Sequence, residues 1–258
     1  MSEHEGGVRR IAYLPGGERI VTCSEDKTVR IWDVETGEQE GTTMEHEGWI
    51  SGLAVTRDGK RILSGGYDKR ISVWDVETHE LIEEWEDETG GIMCIAVSPD
   101  DQLAASGGER GEIVMREIQE SGRIRYSIKA GGGVPSLCFS PNGEKLACAA
   151  GYYYGQPGVI HVYDVESGEL VLGPIKAHEN MGLLCHLVTR LFSASNDYTI
   201  QCWNSETAEP IEQQWIGHTD YVVTLSLSPD GKRLTSTLLD KTVRFWDAHS
   251  GNPIEQPL

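Results

Sequence analysis

The 258-residue sequence contains no apolar run long enough to cross a membrane, and its first residues, MSEHEGGVRR, lack the apolar core of a signal peptide. A membrane-spanning helix needs about 20 consecutive apolar residues, and a signal peptide needs a shorter apolar run after a basic start. The sequence therefore predicts a soluble intracellular protein in the cytoplasm, with the nucleus as the alternative compartment. It also predicts that the protein has no membrane partner.

The sequence also lacks a C-x-x-C pair or any other cysteine spacing typical of a metal site. Cysteine in an apolar run behaves as a small apolar side chain. All six cysteines lie in such runs: Cys23, Cys94, Cys138, Cys148, Cys185 and Cys202. We therefore expect buried, reduced thiols and no metal ion.

Basic residues are scarce, with 22 Lys and Arg against 41 Asp and Glu, so the formal net charge is −19. Such a charge repels phosphate backbones and attracts basic peptides, which argues against a nucleic-acid partner. Much of the acid lies in repeated turn segments, so the alternative is that the charge mainly maintains solubility. These segments are ETGE (35–38), ETHE (77–80), ESGE (166–169) and ETAE (206–209).

What the sequence does contain is a repeat that ends in a Trp-Asp pair or a variant of it. The tryptophan-type positions are Trp32, Trp74, Arg116, Tyr163, Trp203 and Trp246, with intervals of 42, 42, 47, 40 and 43 residues. A period of this length is typical of a propeller blade of four strands. Within each copy, apolar and polar residues alternate between Gly- and Asp-containing turns, which predicts four short antiparallel strands.

The chain resembles the WD-repeat family along essentially its whole length. His4, His46 and His218 each precede an Asp by 22 residues and a Trp by 28, a coupled spacing more specific than the dipeptide alone. The resemblance implies an all-β fold, a single β-propeller of six four-stranded antiparallel blades, with part of a seven-bladed ring as the alternative. The whole chain, 1–258, would form one propeller, with blades at 1–45, 46–87, 88–129, 130–177, 178–217 and 218–258.

In that family a His, a Ser or Thr, an Asp and a Trp form a hydrogen-bonded tetrad within a blade. Carried over by resemblance, the structural tetrads are His4, Thr22, Asp26 and Trp32; His46, Ser64, Asp68 and Trp74; His178, Ser193, Asp197 and Trp203; and His218, Ser236, Asp240 and Trp246. Stacking desolvates polar groups on each blade, and such a network would satisfy them each time.

Three repeats depart from this pattern. The third has Glu88, Ser106, Arg110 and Arg116 at the four positions, so no tetrad is possible, and the fourth has Ala130 at the His position. We expect packing alone to hold these two blades, which makes them the weaker side of the ring. The fifth has a His-to-Trp distance of 25, which predicts a shorter inner strand or a tighter first hairpin.

The combination of His, Asp and Ser also occurs in nucleophilic triads, so catalysis has to be considered. A triad occurs once per site, whereas this set recurs in four repeats at positions that the family uses for internal bonding. One His and one Asp per blade also cannot supply the ligands of a metal ion. We therefore expect no catalytic residue, no cofactor and no metal, and an enzyme is the remote alternative.

Surface recognition remains, and the resemblance places it on the loop face around the central channel. The residues expected there are Arg9, Trp49, Tyr67, Tyr221 and Leu239, with Tyr152, Tyr153 and Tyr154 in an expanded loop of the fourth repeat. Aromatic residues with arginine are typical of binding hot spots. The hypothesis is a non-catalytic scaffold that binds a protein or peptide, basic or amphipathic in character.

Two alternatives to this hypothesis stay open. The chain could be a structural or self-associating propeller module, forming homo-oligomers if the ring is not latched, or a fragment of a larger regulatory WD-repeat protein. Trp85 and Trp215, on predicted outer strands, are expected to be packing residues.

Overall fold

The computed structural model describes residues 4–87, 90–151, 158–178, 184–187, 190–195, 197–211, 214–218, 222–228, 231–238 and 243–254. These residues form β-strands and a single 3-10 turn, Ile118–Glu120, so the protein is all-β. The chain divides into two compact units, Met1–Lys129 and Ala130–Leu258, each containing three antiparallel sheets. No helix in the described ranges is long and apolar enough to span a bilayer.

The first unit consists of three four-stranded sheets, in each of which the strands follow one another as neighbours. The first sheet contains β1 (Val8–Tyr13), β2 (Arg19–Ser24), β3 (Thr28–Asp33) and β4 (Gln39–Glu45). The second contains β5 (Ile50–Val55), β6 (Arg61–Gly66), β7 (Arg70–Asp75) and β8 (Leu81–Glu86). The third contains β9 (Ile92–Val97), β10 (Leu103–Gly108), β11 (Glu112–Glu117) and β12 (Arg123–Lys129).

The second unit has one sheet of four strands and two of three. The fourth sheet contains β13 (Gly133–Phe139), β14 (Lys145–Gly151), β15 (Gly158–Asp164) and β16 (Leu170–His178). The fifth contains β17 (Leu184–Leu187), β18 (Arg190–Ala194) and β19 (Ile200–Asn204). The sixth contains β20 (Val222–Leu227), β21 (Arg233–Leu238) and β22 (Val243–Asp247).

The expectation of four strands in every sheet is confirmed for the first four sheets and stays a prediction for the last two, whose fourth-strand positions include residues outside the described ranges. Their fourth-strand positions hold isolated bridges, from Trp203 to Pro210 and Ile200 to Trp215 in the fifth sheet and from Trp246 to Pro253 in the sixth. A proline at the bridge has no N–H to donate to a ladder, which limits the pairing there. The shorter inner strand or tighter first hairpin expected in the fifth repeat stays a prediction, because the residues on both sides of β17 lie outside the described ranges.

The core of the first unit lies between successive sheets. Alternation places one side of each strand against the next sheet, which buries apolar residues from both. Between the first and second sheets, Val21 and Ile31 pack with Ile62 and Trp74. Between the second and third sheets, Leu63, Ile71 and Trp85 pack with Ile92, Ile95 and Ala104. Trp74 thus belongs to the second sheet but packs against the first.

The second unit repeats this arrangement. Trp203 of the fifth sheet packs with Ala147 and Ile160 of the fourth, and Trp246 of the sixth packs with Phe192 of the fifth. Trp85 and Trp215 are each only 4% exposed, which confirms that they are packing residues. Trp74, Trp203 and Trp246, which lie near the ends of the third strands of their sheets, therefore each help to bury the sheet before their own.

The aspartate of the repeated Trp-Asp pair caps the turn that follows the third strand. Asp33 Oδ1 accepts a hydrogen bond from the N–H of Thr36 at 2.7 Å, and Asp75 Oδ1 accepts one from the N–H of Thr78 at 2.8 Å. Asn204 does the same in the fifth sheet, since its side-chain oxygen also accepts the N–H three residues on. This local bond explains why Asp or Asn recurs at the position.

The five cysteine side chains that the structure describes form no disulfide. Cys23, Cys94, Cys148 and Cys202 are buried, as expected, whereas Cys138 is half-buried. Burial raises the pKa of the Cys23 thiol to about 12, which keeps it protonated.

Candidate interaction surface

Side-chain networks of His, Ser or Thr, Asp and Trp form within the first two sheets. His4 Nδ1 lies 2.7 Å from Asp26 Oδ2, and His4 Nε2 lies 2.7 Å from Thr22 Oγ1. Trp32 Nε1–H donates to the same Thr22 oxygen at 2.8 Å. Because an ionised carboxylate only accepts, the histidine proton belongs on Nδ1, and Nε2 accepts from the hydroxyl.

The second sheet has the same network with nearly the same distances. His46 Nδ1 lies 2.7 Å from Asp68 Oδ2, His46 Nε2 lies 2.7 Å from Ser64 Oγ, and Trp74 Nε1–H donates to Ser64 Oγ at 2.8 Å. The imidazole and carboxylate side chains are at most 9% exposed in the first two sheets. Thr22 and Ser64 are buried, and each hydroxyl is bonded to both the histidine and the tryptophan of its network.

The fifth repeat contains the complete set despite its shorter spacing, with His178 at the end of β16. His178 Nδ1 lies 3.0 Å from Asp197 Oδ2, His178 Nε2 lies 2.8 Å from Ser193 Oγ, and Trp203 Nε1–H donates to Ser193 Oγ at 2.9 Å.

In the sixth sheet, His218 Nε2 lies 2.7 Å from Ser236 Oγ, and Trp246 Nε1–H donates to the same oxygen at 2.8 Å. Asp240, the fourth member expected there, lies outside the described residues.

The network carboxylates are held ionised. Burial acts to raise the pKa of Asp26, but hydrogen bonds from Thr28 and His4 outweigh it and lower the pKa to about 2. The pKa values of Asp68 and Asp197 are also lowered, because hydrogen bonds from their histidines outweigh the same burial effect. Ionised carboxylates fix the histidine tautomer on which each network depends.

The third sheet replaces the tetrad by a buried ion pair, which corrects the expectation that packing alone holds it. Ser106 Oγ–H donates to Asp87 Oδ2 at 2.6 Å, and Arg116 Nη2 lies 3.6 Å from the same carboxylate oxygen. Arg116 also donates to the backbone oxygens of Glu86 at 2.6 Å and Gly122 at 3.1 Å. Burial lowers the pKa of Arg116, and Asp87 opposes that shift.

Asp87 occupies the place of the histidine in this sheet. Its N–H donates to Lys69 O at 2.8 Å, as the N–H of His46 donates to Lys27 O at 2.9 Å. The His-type position was therefore expected one residue too late, at Glu88, which lies outside the described residues. The fixed spacing of 28 residues failed because the loop before β9 is one residue longer.

The fourth sheet carries a different substitution. In the first sheet, Ile20 pairs across the strands with Trp32, and Thr22 follows two residues later. In the fourth sheet, Leu146 pairs in the same way with Tyr163, and Cys148 follows two residues later. Burial raises the pKa of the Tyr163 hydroxyl, and Cys148 adds to that shift. Cys148 and Tyr163 thus stand where the other sheets have the Ser or Thr and the Trp, and the expectation that packing alone holds this blade stays a prediction.

The loop face of the first unit is built from three equivalent residue pairs. In each sheet, the N–H of a residue after the second strand donates to the carbonyl of a residue before the first strand. The pairs are Glu25 with Gly7 at 3.0 Å, Tyr67 with Trp49 at 2.9 Å and Glu109 with Gly91 at 2.9 Å. The middle pair is aromatic and lies between two pairs of one glycine and one glutamate.

Trp49 and Tyr67 are exposed and touch each other. Their side chains lie at equivalent loop positions of one sheet, 52% and 50% exposed, with ring centroids 6.0 Å apart and planes at 77°. Arg9, the third residue expected on this surface, forms an ion pair with Glu25. The structure thus places Arg9, Trp49 and Tyr67 on loops or strand ends of one unit.

The remaining residues expected on the surface fall outside the described part of the chain. They are Tyr152, Tyr153, Tyr154, Tyr221 and Leu239.

Comparison with known proteins decides the family. The sequence profile described as WD domain, G-beta repeat matches residues 1–33, 37–75, 79–115 and 210–247, which together make up more than half of the chain. The chain belongs to the WD40 repeat family. The resemblance inferred from the coupled His, Asp and Trp spacings is confirmed, and the four-stranded antiparallel sheets are those of a WD40 propeller. The profile passes over the fourth and fifth WD40 repeats, of which the fifth nevertheless has a complete network.

Two curated WD40-like segments are similar to parts of this chain. A 42-residue stretch is 38% identical to Polyadenylation factor subunit 2 of Candida albicans, and it covers 16% of this chain and 8% of that protein. A 35-residue stretch is 49% identical to Actin-interacting protein 1 of Drosophila melanogaster, covering 14% of this chain and 6% of that protein. The matched segments therefore span less than a tenth of either relative.

Sequence reasoning missed Asp87 as a network member. A signal for Asp87 existed, since an arginine at a buried tryptophan position requires a nearby carboxylate. The position of Glu109 beside Tyr67 depends on how two sheets pack and has no counterpart in the spacing. Within the described ranges, no group of three or more His, Cys, Asp or Glu is placed to hold a metal ion.

Proposed function

We propose that this WD40 protein is a non-catalytic interaction scaffold that binds a protein or peptide on the loop face of its first unit. The observation that carries the proposal is the pair of half-exposed aromatic rings, Trp49 and Tyr67. Large aromatic side chains at a surface are the residues most often found as binding hot spots. The internal bonds of the histidine networks support a structural role for those residues.

The net charge of −19 favours a basic or amphipathic partner segment. It disfavours a nucleic-acid partner, because a phosphate backbone would be repelled. We propose an intracellular location for this encounter and a single propeller of six blades, since the chain carries six sheets in sequence order.

The test is affinity capture by the full chain, with quantitative mass spectrometry of the bound proteins. A Trp49→Ala, Tyr67→Ala double variant should lose a specific partner that the parent captures, by about 30-fold or more, the equivalent of about 2 kcal/mol. The matched control is Leu81→Ala, Ile82→Ala, two exposed apolar residues on the outer strand β8 of the same sheet. This control should bind as the parent does.

Loss of binding in the control, with the aromatic variant unchanged, would move the interaction to the sides of the blades and overturn the proposal. Both variants should keep the melting temperature of the parent, because the four side chains are exposed. If both variants melted at a lower temperature than the parent, their loss of binding would be a consequence of impaired folding.

Self-association is a second candidate, favoured by an exposed apolar strand. Ile11 of β1 is 59% exposed, whereas Leu53 and Ile95, its counterparts opposite Ser64 and Ser106, are 8% and 7% exposed. Exposed strand edges with apolar side chains invite pairing with another copy. Light scattering should then give a mass above 28.5 kDa that falls in Ile11→Ser. A monomer at all concentrations would reject this candidate.

A further inference from the structure

The loop face of the first unit offers one position where an aromatic ring and an unpaired carboxylate face the same small space. That space lies over Gly91, the residue before β9. A β-carbon at Gly91 would lie 3.2 Å from Tyr67 Cδ1 and 3.4 Å from Glu109 Oε2. The tyrosine ring and the carboxylate therefore both approach the same point beside Gly91, which places them close to each other.

A second aromatic ring lies next to Tyr67. Trp49 meets Tyr67 edge to face, so the two rings stand nearly perpendicular. Each of the two residues is about half exposed. Two perpendicular ring faces beside a carboxylate provide electron-rich surfaces in more than one direction, which is the arrangement that attracts a cation.

The charges on either side of the aromatic pair are not equivalent. Glu25, on the side of the first sheet, is already paired with Arg9. Glu109, on the side of the third sheet, is exposed and has no ion-pair partner among the residues that the structure describes. A cation that arrives at this face therefore finds an uncompensated carboxylate at Glu109, beside Tyr67, whereas the carboxylate of Glu25 is already neutralised by Arg9.

We propose that Trp49, Tyr67 and Glu109 form a seat for one cationic side chain of the partner, and that arginine fits it best. This inference rests on the proposed function and names the group that the surface recognises. A guanidinium is planar, so it can stack on an aromatic ring while its edge donates to a carboxylate. A lysine ammonium would use the same carboxylate as a point charge but could not stack.

The probe for this seat is N-acetylarginine amide, titrated at millimolar concentrations into the full chain labelled with 15N at its tryptophan indoles. The Trp49 indole resonance is assigned by its disappearance in Trp49→Phe. We expect a saturable shift of this resonance, which weakens as salt is raised. N-acetylcitrulline amide has nearly the same shape without the charge, and it should produce no saturable shift. N-acetyllysine amide with a free side-chain amine should bind more weakly than the arginine compound.

The charge variants make the position of the seat testable. Glu109→Gln should weaken binding of the arginine probe by about threefold to tenfold, the range for one partly exposed charge contact. Glu25→Gln is the matched control and should leave the affinity unchanged, because that carboxylate is already paired. Arg110→Gln removes the neighbouring cation and should leave the affinity unchanged or increase it. All three residues are at the surface, so the melting temperature should not change.

An equal shift with the citrulline probe, or equal affinities of the parent and Glu109→Gln, would overturn the seat. Failure of the seat and failure of the proposed function give different results. If the arginine probe does not bind but partner capture still depends on Trp49 and Tyr67, the scaffold function stands and only the cation seat is wrong. If capture is insensitive to both aromatic residues, the proposed interaction face itself is wrong.

Discussion

Replacing Arg116 by methionine should destabilise the protein more than any change to a surface ion pair. The Asp87 carboxylate is fully buried and the Arg116 side chain is 5% exposed, with 3.6 Å between the charged atoms. The substitution keeps an unbranched apolar side chain but removes the guanidinium from the carboxylate, which still accepts the bond from Ser106. Breaking a buried pair by removing one partner costs about 3–5 kcal/mol of unfolding free energy, because an uncompensated charge stays buried.

The measurement is urea denaturation at pH 7, followed by circular dichroism. Arg116→Met should lower the midpoint without changing the slope, whereas Arg116→Met with Asp87→Leu should recover most of the loss, since no charge then stays buried. The control is Arg70→Met, because Arg70 and Glu84 form an exposed pair at 3.4 Å and should contribute less than about 1 kcal/mol.

Two results would refute this reasoning. If Arg116→Met unfolds at the parent midpoint, the ion pair does not hold the third sheet, and the earlier expectation of packing alone would be correct there. If the double variant is no more stable than Arg116→Met, the loss comes from the unfilled backbone oxygens of Glu86 and Gly122 and not from the unpaired carboxylate.

Three further predictions concern the networks and the junction between the first two sheets. Asp68→Asn should lower the free energy of unfolding by about 1–3 kcal/mol in urea titration, because it weakens a buried bond to His46, and an unchanged midpoint would remove the structural role of the network. The Asp26 carboxylate has a folded-state pKa of about 2, below its ordinary value, so its contribution is complete above about pH 4 and is lost as the pH falls towards 2. The stability difference between the parent and Asp26→Asn should therefore shrink over that range, and a constant difference would contradict the lowered pKa. Gly41→Ala should destabilise the first sheet, because a β-carbon there would overlap the His79 ring and Gly41 has a backbone φ of +65°. The additional change His79→Gly should partly restore the melting temperature. Equal melting temperatures of the single and double variants would exclude that contact.

The repeat and its strands could be predicted from the sequence because hairpin contacts are local. Alternating side chains, Gly and Asp turns and the Trp-Asp period identify four strands per repeat, and the turn caps at Asp33 and Asp75 need only residues two or three positions away. The coupled spacing of His, Asp and Trp works for the same reason, since His46, Ser64 and Trp74 belong to one repeat and its strand register fixes their separation. In the described residues, the fourth-strand positions of the last two sheets show single bridges at Pro210, Trp215 and Pro253.

By itself, the sequence determined the all-β class, the WD40 family and the members of the networks that lie at regular spacing. Only the tertiary structure decided that Asp87 faces Arg116 and that Glu109 stands beside Tyr67 over Gly91. The physical reason is that these contacts depend on loop length and on packing between adjacent sheets. A periodic pattern specifies which residues one repeat contains. Which side chains of two neighbouring repeats contact each other depends on how the two sheets pack.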